Sequence, residues 1–401
     1  MDLLLVADGH YYRDKKGDIY VQSVFDYSFY KRYLSVFDKV YAVARIEEVN
    51  EAPTGKKKAS GERVIFLDFP VFKGPWQYAR SFLYVKKVAK KYAEKFQCAI
   101  FRLPGATANI MCKEFAKTGK PFAVEIVIDP WENFAPGSGT GILRPIIRYS
   151  WTSLVKKMCM KANGASYVTE KYLQEKYPCP ALFGKTGYFT NFYSSVELPD
   201  DTFAEPRMFF PKETWYIAHT ANTLADYCKG HIQLMNAVKV VRDKGYDVRI
   251  RFIGDGPKRG EFQDYARKIN IDKAVEFMGR LPSTLEVRKV YAQSDMFVFP
   301  TKAEGLPRGL LEAMAEGLPC ISSPTCGIPE VLQKDYLCDY DDAEGFARRI
   351  IKMITNPNIM CECSKSNIMI AKKYKSSILN EKRFSFYRAL EDVVYEENER
   401  K

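Results

Sequence analysis

No C-x-x-C pair occurs among the ten cysteines of this 401-residue chain, so the common zinc and dithiol signatures are missing. Cys361 and Cys363 are the only close neighbours, and Cys98 and Cys320 lie in strand-like apolar runs. Buried free thiols in a reducing compartment are expected, not a disulfide frame. Histidine is equally scarce, at three residues, and His219 and His231 stand too isolated to read as a ligand pair. No stretch approaches the roughly 18 uninterrupted apolar residues that span a bilayer. The opening Met-Asp-Leu-Leu-Leu-Val-Ala-Asp has no basic n-region, so it reads as a first buried strand and not as a signal peptide. Internal repeats and low-complexity tracts are absent too.

What the chain has is size, apolar content and positive charge. Its length exceeds one ordinary core, so two domains are expected. Hydrophobic residues make up 46% and aromatics 14%, which supports compact folding. The net charge of +12 is unevenly placed: residues 1–200 hold 30 Lys+Arg against 20 Asp+Glu, and residues 201–401 hold 31 against 29. The basic surface therefore belongs to the first half.

That half alternates short apolar strands (Leu3 to Ala7, Val40 to Ala44, Val64 to Phe69, Ala99 to Leu103, Phe122 to Ile128, Ser166 to Thr169) with helical patterns. Such alternation predicts a parallel sheet covered by helices on both faces, with ligands at the carboxyl ends of the strands. A polar segment over 194–212 reads as a linker. The pattern then resumes with Trp215 to Ala218, Arg249 to Ile253, Val275 to Met278, Met296 to Phe299 and Cys320 to Ser322. The domains expected are 1–193, 213–375 and a C-terminal helical segment, 376–401.

The most informative segment is Glu304-Gly-Leu-Pro-Arg-Gly-Leu-Leu-Glu312, which follows the apolar run Met296 to Pro300. Its order reads strand, turn, helix. With Glu304 before the helix and Glu312 within it, both carboxylates can face one ligand, and a helix N-terminus near Pro307 suits a phosphate. Ile253-Gly-Asp-Gly-Pro257, Val275-Glu-Phe-Met-Gly279 and Gly327-Ile-Pro-Glu330 accompany it.

These segments, in this order, resemble the E-x7-E signature and its surroundings in retaining glycosyltransferases of family 4. The resemblance implies an α/β chain of the GT-B fold, two Rossmann-like domains facing an interdomain cleft, with the last helix, near Glu381 to Glu396, crossing back to the first domain. It implies a nucleotide-diphosphate sugar as donor, a UDP-sugar expected, and transfer to a hydroxyl. Glu304 would touch hydroxyls of the donor sugar and Glu312 the ribose. Backbone around Gly305, Leu306, Pro307, Arg308 and Gly309 would face the sugar or diphosphate, and Lys229, before Gly230, would grip the diphosphate. No metal and no cofactor are expected.

The chain departs from the family pattern twice. Several relatives carry an arginine where this chain has Thr223, which makes Arg308 and Arg280 the candidate replacements. Many relatives carry a histidine where this chain has Ile128, leaving Asp129 as a cleft group and His10, in the loop Asp8 to Arg13, as a second candidate. Retaining members are thought to use front-face attack, in which the leaving phosphate takes the acceptor proton.

Two further motifs have plain readings. Gly254-Asp-Gly256-Pro-Lys-Arg-Gly260 lacks the full dinucleotide spacing and reads as a tight turn. Asp339-Tyr-Asp341 imitates a metal motif, but Asp342 is a natural N-cap for the helix that follows.

In the helix Ser81 to Phe96, an inward stripe of Phe82, Val85, Ala89, Tyr92 and Phe96 leaves Lys86, Lys87, Lys90, Lys91 and Lys95 outside. With Arg144, Arg148, Lys156, Lys157 and Lys161, this basic surface (81–96 and 144–161) fits an anionic membrane. The expected location is the cytoplasm, peripheral on the inner face of the cell membrane. The phrases Glu125 to Phe134 and Tyr167 to Tyr177 look similar to bacterial surface-polysaccharide members, which implies a glycan or lipid-linked acceptor. Nucleic acid is not expected, because no base-stacking motif accompanies the charge. The competing readings are a noncatalytic GT-B scaffold and, less favoured, a nucleotide-sugar epimerase.

Overall fold

A computed structural model describes residues 1–72, 74–136 and 141–400. The first sheet is built from β1 (Asp2–Arg13), β2 (Ile19–Val21), β3 (Lys39–Glu48), β4 (Lys57–Lys58), β5 (Val64–Asp68), β6 (Ala99–Leu103), β7 (Phe122–Ile126), β8 (Gly164–Tyr167) and β9 (Phe189–Phe192). Its parallel part runs β5-β3-β1-β6-β7-β8-β9. The helices between these strands are α1 (Tyr27–Lys31), α2 (Gly74–Lys95), α3 (Ala106–Phe115), α4 (Pro130–Asn133), α5 (Arg144–Lys161) and α6 (Tyr172–Lys176). Leu3, Leu4, Leu5 and Val6 are all fully buried, as a strand covered on both faces requires.

The second sheet is β10 (Thr214–Thr223), β11 (Asp247–Asp255), β12 (Val275–Gly279), β13 (Met296–Phe299) and β14 (Cys320–Ser322), all parallel in the order β12-β11-β10-β13-β14. Its helices are α7 (His231–Asp243), α8 (Arg259–Lys268), α9 (Thr284–Ala292), α10 (Arg308–Ala315), α11 (Ala343–Ile354) and α12 (Pro357–Ala371). On α7 the buried residues Leu234, Ala237, Val238 and Val241 repeat at helical spacing and pack against Ile217, Ile250 and Phe252 of the sheet. Asp342 caps α11 by accepting from the Gly345 N–H at 2.7 Å.

The last helix, α13 (Ser376–Glu399), lies against β8 and β9 of the first sheet. Tyr387 stacks on Tyr33 at 4.6 Å, and its hydroxyl donates to Glu125 at 3.2 Å. The hydroxyls of Tyr33 and Tyr193 and the guanidinium of Arg102 converge on the same buried carboxylate. One apolar cluster runs from Leu5 and Tyr33 through Tyr387 to Phe297 and Leu311, so the two sheets and α13 share core.

The structure corrects three local expectations. β1 does not end at Ala7: it continues to Arg13, pairs with β3 up to Val6 and again from His10 after a register shift, and pairs with antiparallel β2 at its end. His10 is therefore a strand residue opposite Arg45, not a loop residue. Second, the first sheet is not purely parallel, because β2 and β4 run antiparallel. Third, Phe82 is not part of the buried stripe of α2; Val85, Ala89 and Phe96 are buried, whereas Phe82 is 43% exposed. All ten cysteines are free, and most are buried. Among the described residues no helix is long and apolar enough to cross a membrane.

Candidate active site

In the second sheet the chain reverses direction of growth between β10 and β13, and an open α/β sheet binds ligands outside that switch point. Two loops meet there. The turn between β10 and α7 approaches the end of β13 so closely that a Cβ on Gly230 would stand 1.9 Å from the Pro300 carbonyl oxygen. Gly230 also has φ of 70°, so glycine alone fits. The Lys302 N–H donates to Cys228 at 2.9 Å and fastens the loops together.

This contact delivers Lys229 to the signature. Its Nζ donates to the Ala303 carbonyl at 2.9 Å and forms an ion pair with Glu304. Both side chains keep about a quarter of their surface open, at 27% and 22%. From Gly305 to Pro307 the loop is buried, and α10 starts at Arg308 with no side chain capping its N-terminus. Its first N–H groups are thus available to an anion. Gly309 lies in the first turn, near the Tyr291 hydroxyl. Glu312 sits in the next turn, where burial pushes its carboxyl above the usual carboxylate range and Arg308 pulls the other way.

The structure separates the two candidate replacements for the missing arginine. Thr223 is exposed at the end of β10, and the Arg280 guanidinium donates to the carbonyl of the adjacent Asn222 at 3.3 Å. Arg308 stands instead beside Glu312, one helical turn earlier. Arg280 is the cation at the turn itself.

The signature also touches the first domain. A Cβ on Gly305 would lie 2.4 Å from the Val127 carbonyl oxygen, and one on Gly327 would lie 2.5 Å from a Thr169 methyl. The Gly327 N–H donates to the Gly305 carbonyl at 3.0 Å. Three residues on, the Glu330 carboxylate accepts from the backbone N–H groups of Glu170, Lys171 and Tyr172 at 2.6, 3.1 and 2.7 Å. Sequence reasoning quoted Glu330 within a motif but gave it no role; its partners lie about 160 residues away in the chain.

Asp129 does not face the cleft. It is fully buried, accepts from the Trp131 N–H at 2.8 Å as the cap of α4, and is held by Lys176 at 2.5 Å, Tyr172 at 3.3 Å and Tyr177. Its carboxyl oxygens are engaged within the first domain, while its backbone meets Cys326 of the second. His10 is exposed on the extension of β1. The carboxylate at the first sheet's own switch point is Asp8, which sequence reasoning passed over. It accepts from the Thr107 N–H at 2.9 Å and pairs with Arg45 at 3.4 Å.

His219 and His231 are not isolated from each other. Their rings meet at 4.7 Å among Phe252, Phe262 and Phe299, fully buried. The His219 Nδ1–H donates to the Val298 carbonyl at 3.0 Å. Burial pushes the His219 pKa down to about 4 and that of His231 well below normal. Among the described residues no group of three or more His, Cys, Asp or Glu is placed to hold a metal. Of the Gly254 to Gly260 segment, Gly254 lies at the end of β11 against Ala221, Gly256 to Lys258 form the turn against Leu224, and Arg259 opens α8.

Two α/β domains of this topology, with the second sheet's switch point facing the first domain, define a GT-B fold. Residues 216–356 match the family described as glycosyl transferases, group 1. Protein CapJ of Staphylococcus aureus is 27% identical over 377 residues, which cover 93% of this chain and 90% of that protein. Among solved structures, HepE of Anabaena in complex with UDP superposes with a TM-score of 0.64 at 11% identity, covering 96% of this chain and 99% of that one. TarM of S. aureus, in complex with fondaparinux, alpha-GlcNAc-glycerol and UDP, gives 0.57 at 17% identity. That match covers 76% of this chain and spans only 59% of TarM. At these identities the structural likeness is one of fold.

Proposed function

We propose that this chain is a retaining glycosyltransferase that moves a sugar from a UDP-sugar to a hydroxyl of a lipid-linked bacterial surface glycan, at the cytoplasmic face of the membrane. The observation that carries the reading is the meeting of Lys229, Glu304 and the uncapped N-terminus of α10 at the switch point. A nucleotide diphosphate laid across it would take Lys229 and the α10 N–H groups on its phosphates. Glu304, released from Lys229, would hold the sugar hydroxyls, and Glu312 the ribose hydroxyls, whose donation would offset the cost of burying its charge.

In the reaction, the bond from the anomeric carbon to the phosphate oxygen breaks and the electron pair stays on the phosphate. The acceptor oxygen bonds the same face of that carbon, and its proton passes to the leaving phosphate. Electrostatic stabilisation of that phosphate by Lys229 and the helix is the protein's main contribution. Burial of Asp129 supports this route, because front-face transfer needs no carboxylate base from the first domain. The UDP complexes of HepE and TarM support the choice of nucleotide, and the phrases around Glu125 and Tyr167 that resemble surface-polysaccharide members support the choice of acceptor.

The test is thermal stability with UDP, GDP, ADP and CMP. A nucleotide at about 100 times its Kd stabilises by roughly 2.7 kcal/mol. A shift with UDP that is cut in Lys229→Ala supports the proposal. No shift with any nucleotide would instead leave a noncatalytic scaffold.

A further inference from the structure

We propose that the outer faces of α2 and α5 form a docking surface for an anionic lipid bilayer, which sets the rim of the interdomain cleft against the membrane. α2 follows β5 directly, and α5 follows β7 by way of the short α4, so the connections into both leave the carboxyl edge of the sheet, where the cleft lies. They flank α3 and pack on the same side of that sheet, through Val85 and Ala89 of one and Val155 and Cys159 of the other.

Each helix carries the same outward pattern. Near its start it exposes large apolar side chains: Trp76 at 79% and Leu83 at 81% on α2, and Ile142 at 95% and Ile146 at 66% at the head of α5. Trp76, Arg80, Leu83 and Lys87 fall on one outward stripe at helical spacing, opposite the buried Val85 and Ala89. Further along, each helix turns basic, with exposed Lys86, Lys87, Lys90 and Lys91 on α2 and Lys156, Lys157 and Lys161 on α5. An apolar rim for the acyl boundary, backed by cations at headgroup height, is the arrangement of an interfacial anchor.

Charge selects this occupant over a second copy of the chain. The two helices hold six and five Lys or Arg against a single acid, Glu94, which pairs with Lys90. A two-fold contact through this face would set those cations against themselves. A lipid surface of negative charge meets the same face with attraction. The proposal deepens the lipid-linked acceptor reading and rests on it for its purpose, but its test needs no turnover.

The experiment is co-flotation of the full chain with vesicles of phosphatidylcholine alone and with about one third phosphatidylglycerol added. Binding to the anionic vesicles only, weakened by salt, is expected. A variant combining Trp76→Ser, Leu83→Ser and Ile146→Ser should bind at least tenfold more weakly. Replacing Lys86, Lys87, Lys90 and Lys91 by Gln should lower binding by on the order of several hundredfold, at about fivefold per cation. Both variants keep the UDP-induced thermal shift of the parent, which reports that they fold. The proposal is overturned if the parent ignores anionic vesicles, if either variant binds as the parent does, or if the face proves to hold a dimer in sedimentation. A UDP shift without vesicle binding would remove the surface and leave the transferase. Vesicle binding without a nucleotide shift would do the reverse.

Discussion

Lys229 and Glu304, 75 residues apart in sequence, form an ion pair at the switch point of the second sheet, and the lysine also donates to the Ala303 carbonyl beside its partner. Each is held in place by the other. Under the proposed function, a donor that takes the lysine onto its phosphates would free the glutamate for the sugar, so the pair would couple diphosphate binding to sugar binding.

The two substitutions should therefore differ in kind. Lys229→Ala is expected to cut the UDP-induced thermal shift by about half or more, with a loss of roughly 1.5 to 3 kcal/mol in nucleotide affinity for the charge-assisted bond. Glu304→Ala should keep UDP binding and lower turnover by about 100-fold or more, as expected when one preorganised contact is removed. Titration calorimetry with UDP alongside a product assay separates them. Near-normal turnover of a folded Glu304→Ala variant would remove the signature from the mechanism.

Arg280 and Arg308 make opposite predictions, because only Arg280 touches the turn at Asn222. Arg280→Ala is expected to weaken nucleotide diphosphate binding by about tenfold, while leaving the nucleoside without phosphates unaffected. Arg308→Ala should instead raise the Glu312 carboxyl further, since Arg308 is what opposes its burial. Comparing the affinities of UDP and uridine in both variants decides between them.

Glu330→Gln retains an acceptor for the N–H groups of Glu170, Lys171 and Tyr172, but without charge. Glu330→Ala retains none. The alanine variant is expected to lose about 1 to 3 kcal/mol of interdomain contact, and the glutamine variant less. Because Gly305 and Gly327 rest on the same seam, turnover should fall in the same order. Small-angle scattering would register the opening of the domains, and unchanged scattering and turnover in Glu330→Ala would refute the clasp.

His219 ties stability to pH. Its folded pKa lies at about 4, below the ordinary 6.5, so the folded state resists protonation that the unfolded chain accepts. Stability is full above about pH 6.5 and declines as the pH falls toward 4, by on the order of 3 kcal/mol from this group. His231 acts with the same sign. Melting temperature followed between about pH 7 and pH 4.5 should fall more steeply in the parent than in His219→Leu. Equal slopes would mean the ring charges in place.

Much of this was legible from the chain because it rests on local pattern. Buried parallel strands must be apolar on both faces, so Leu3 to Val6 and Met296 to Phe299 announce themselves. The spacing of Glu304 and Glu312 around Pro307 places one carboxylate before a helix and one inside it, as found. The polar half of β1 was not legible, because His10, Tyr12 and Arg13 are held in a strand by pairing with β3, and with β2 at its end, and not by their own burial. The outward residues of α2 were legible only in part, since a helix bearing apolar side chains on two faces does not say which face its sheet will cover.

The sequence by itself determined the two alternating α/β patterns, the free thiols and the charge imbalance, each a property of periodicity or composition. Tertiary structure alone decided which polar groups meet. Lys176 and Tyr177, 47 and 48 residues beyond Asp129, withdraw that carboxylate from the cleft; the turn into α7 brings His231 against His219; and Glu330 caps a helix of the other domain. The physical reason is common to all three. A buried charge or ring nitrogen persists only where the fold supplies its partner or keeps it neutral, and that partner is chosen by packing across the chain, not by the residues on either side.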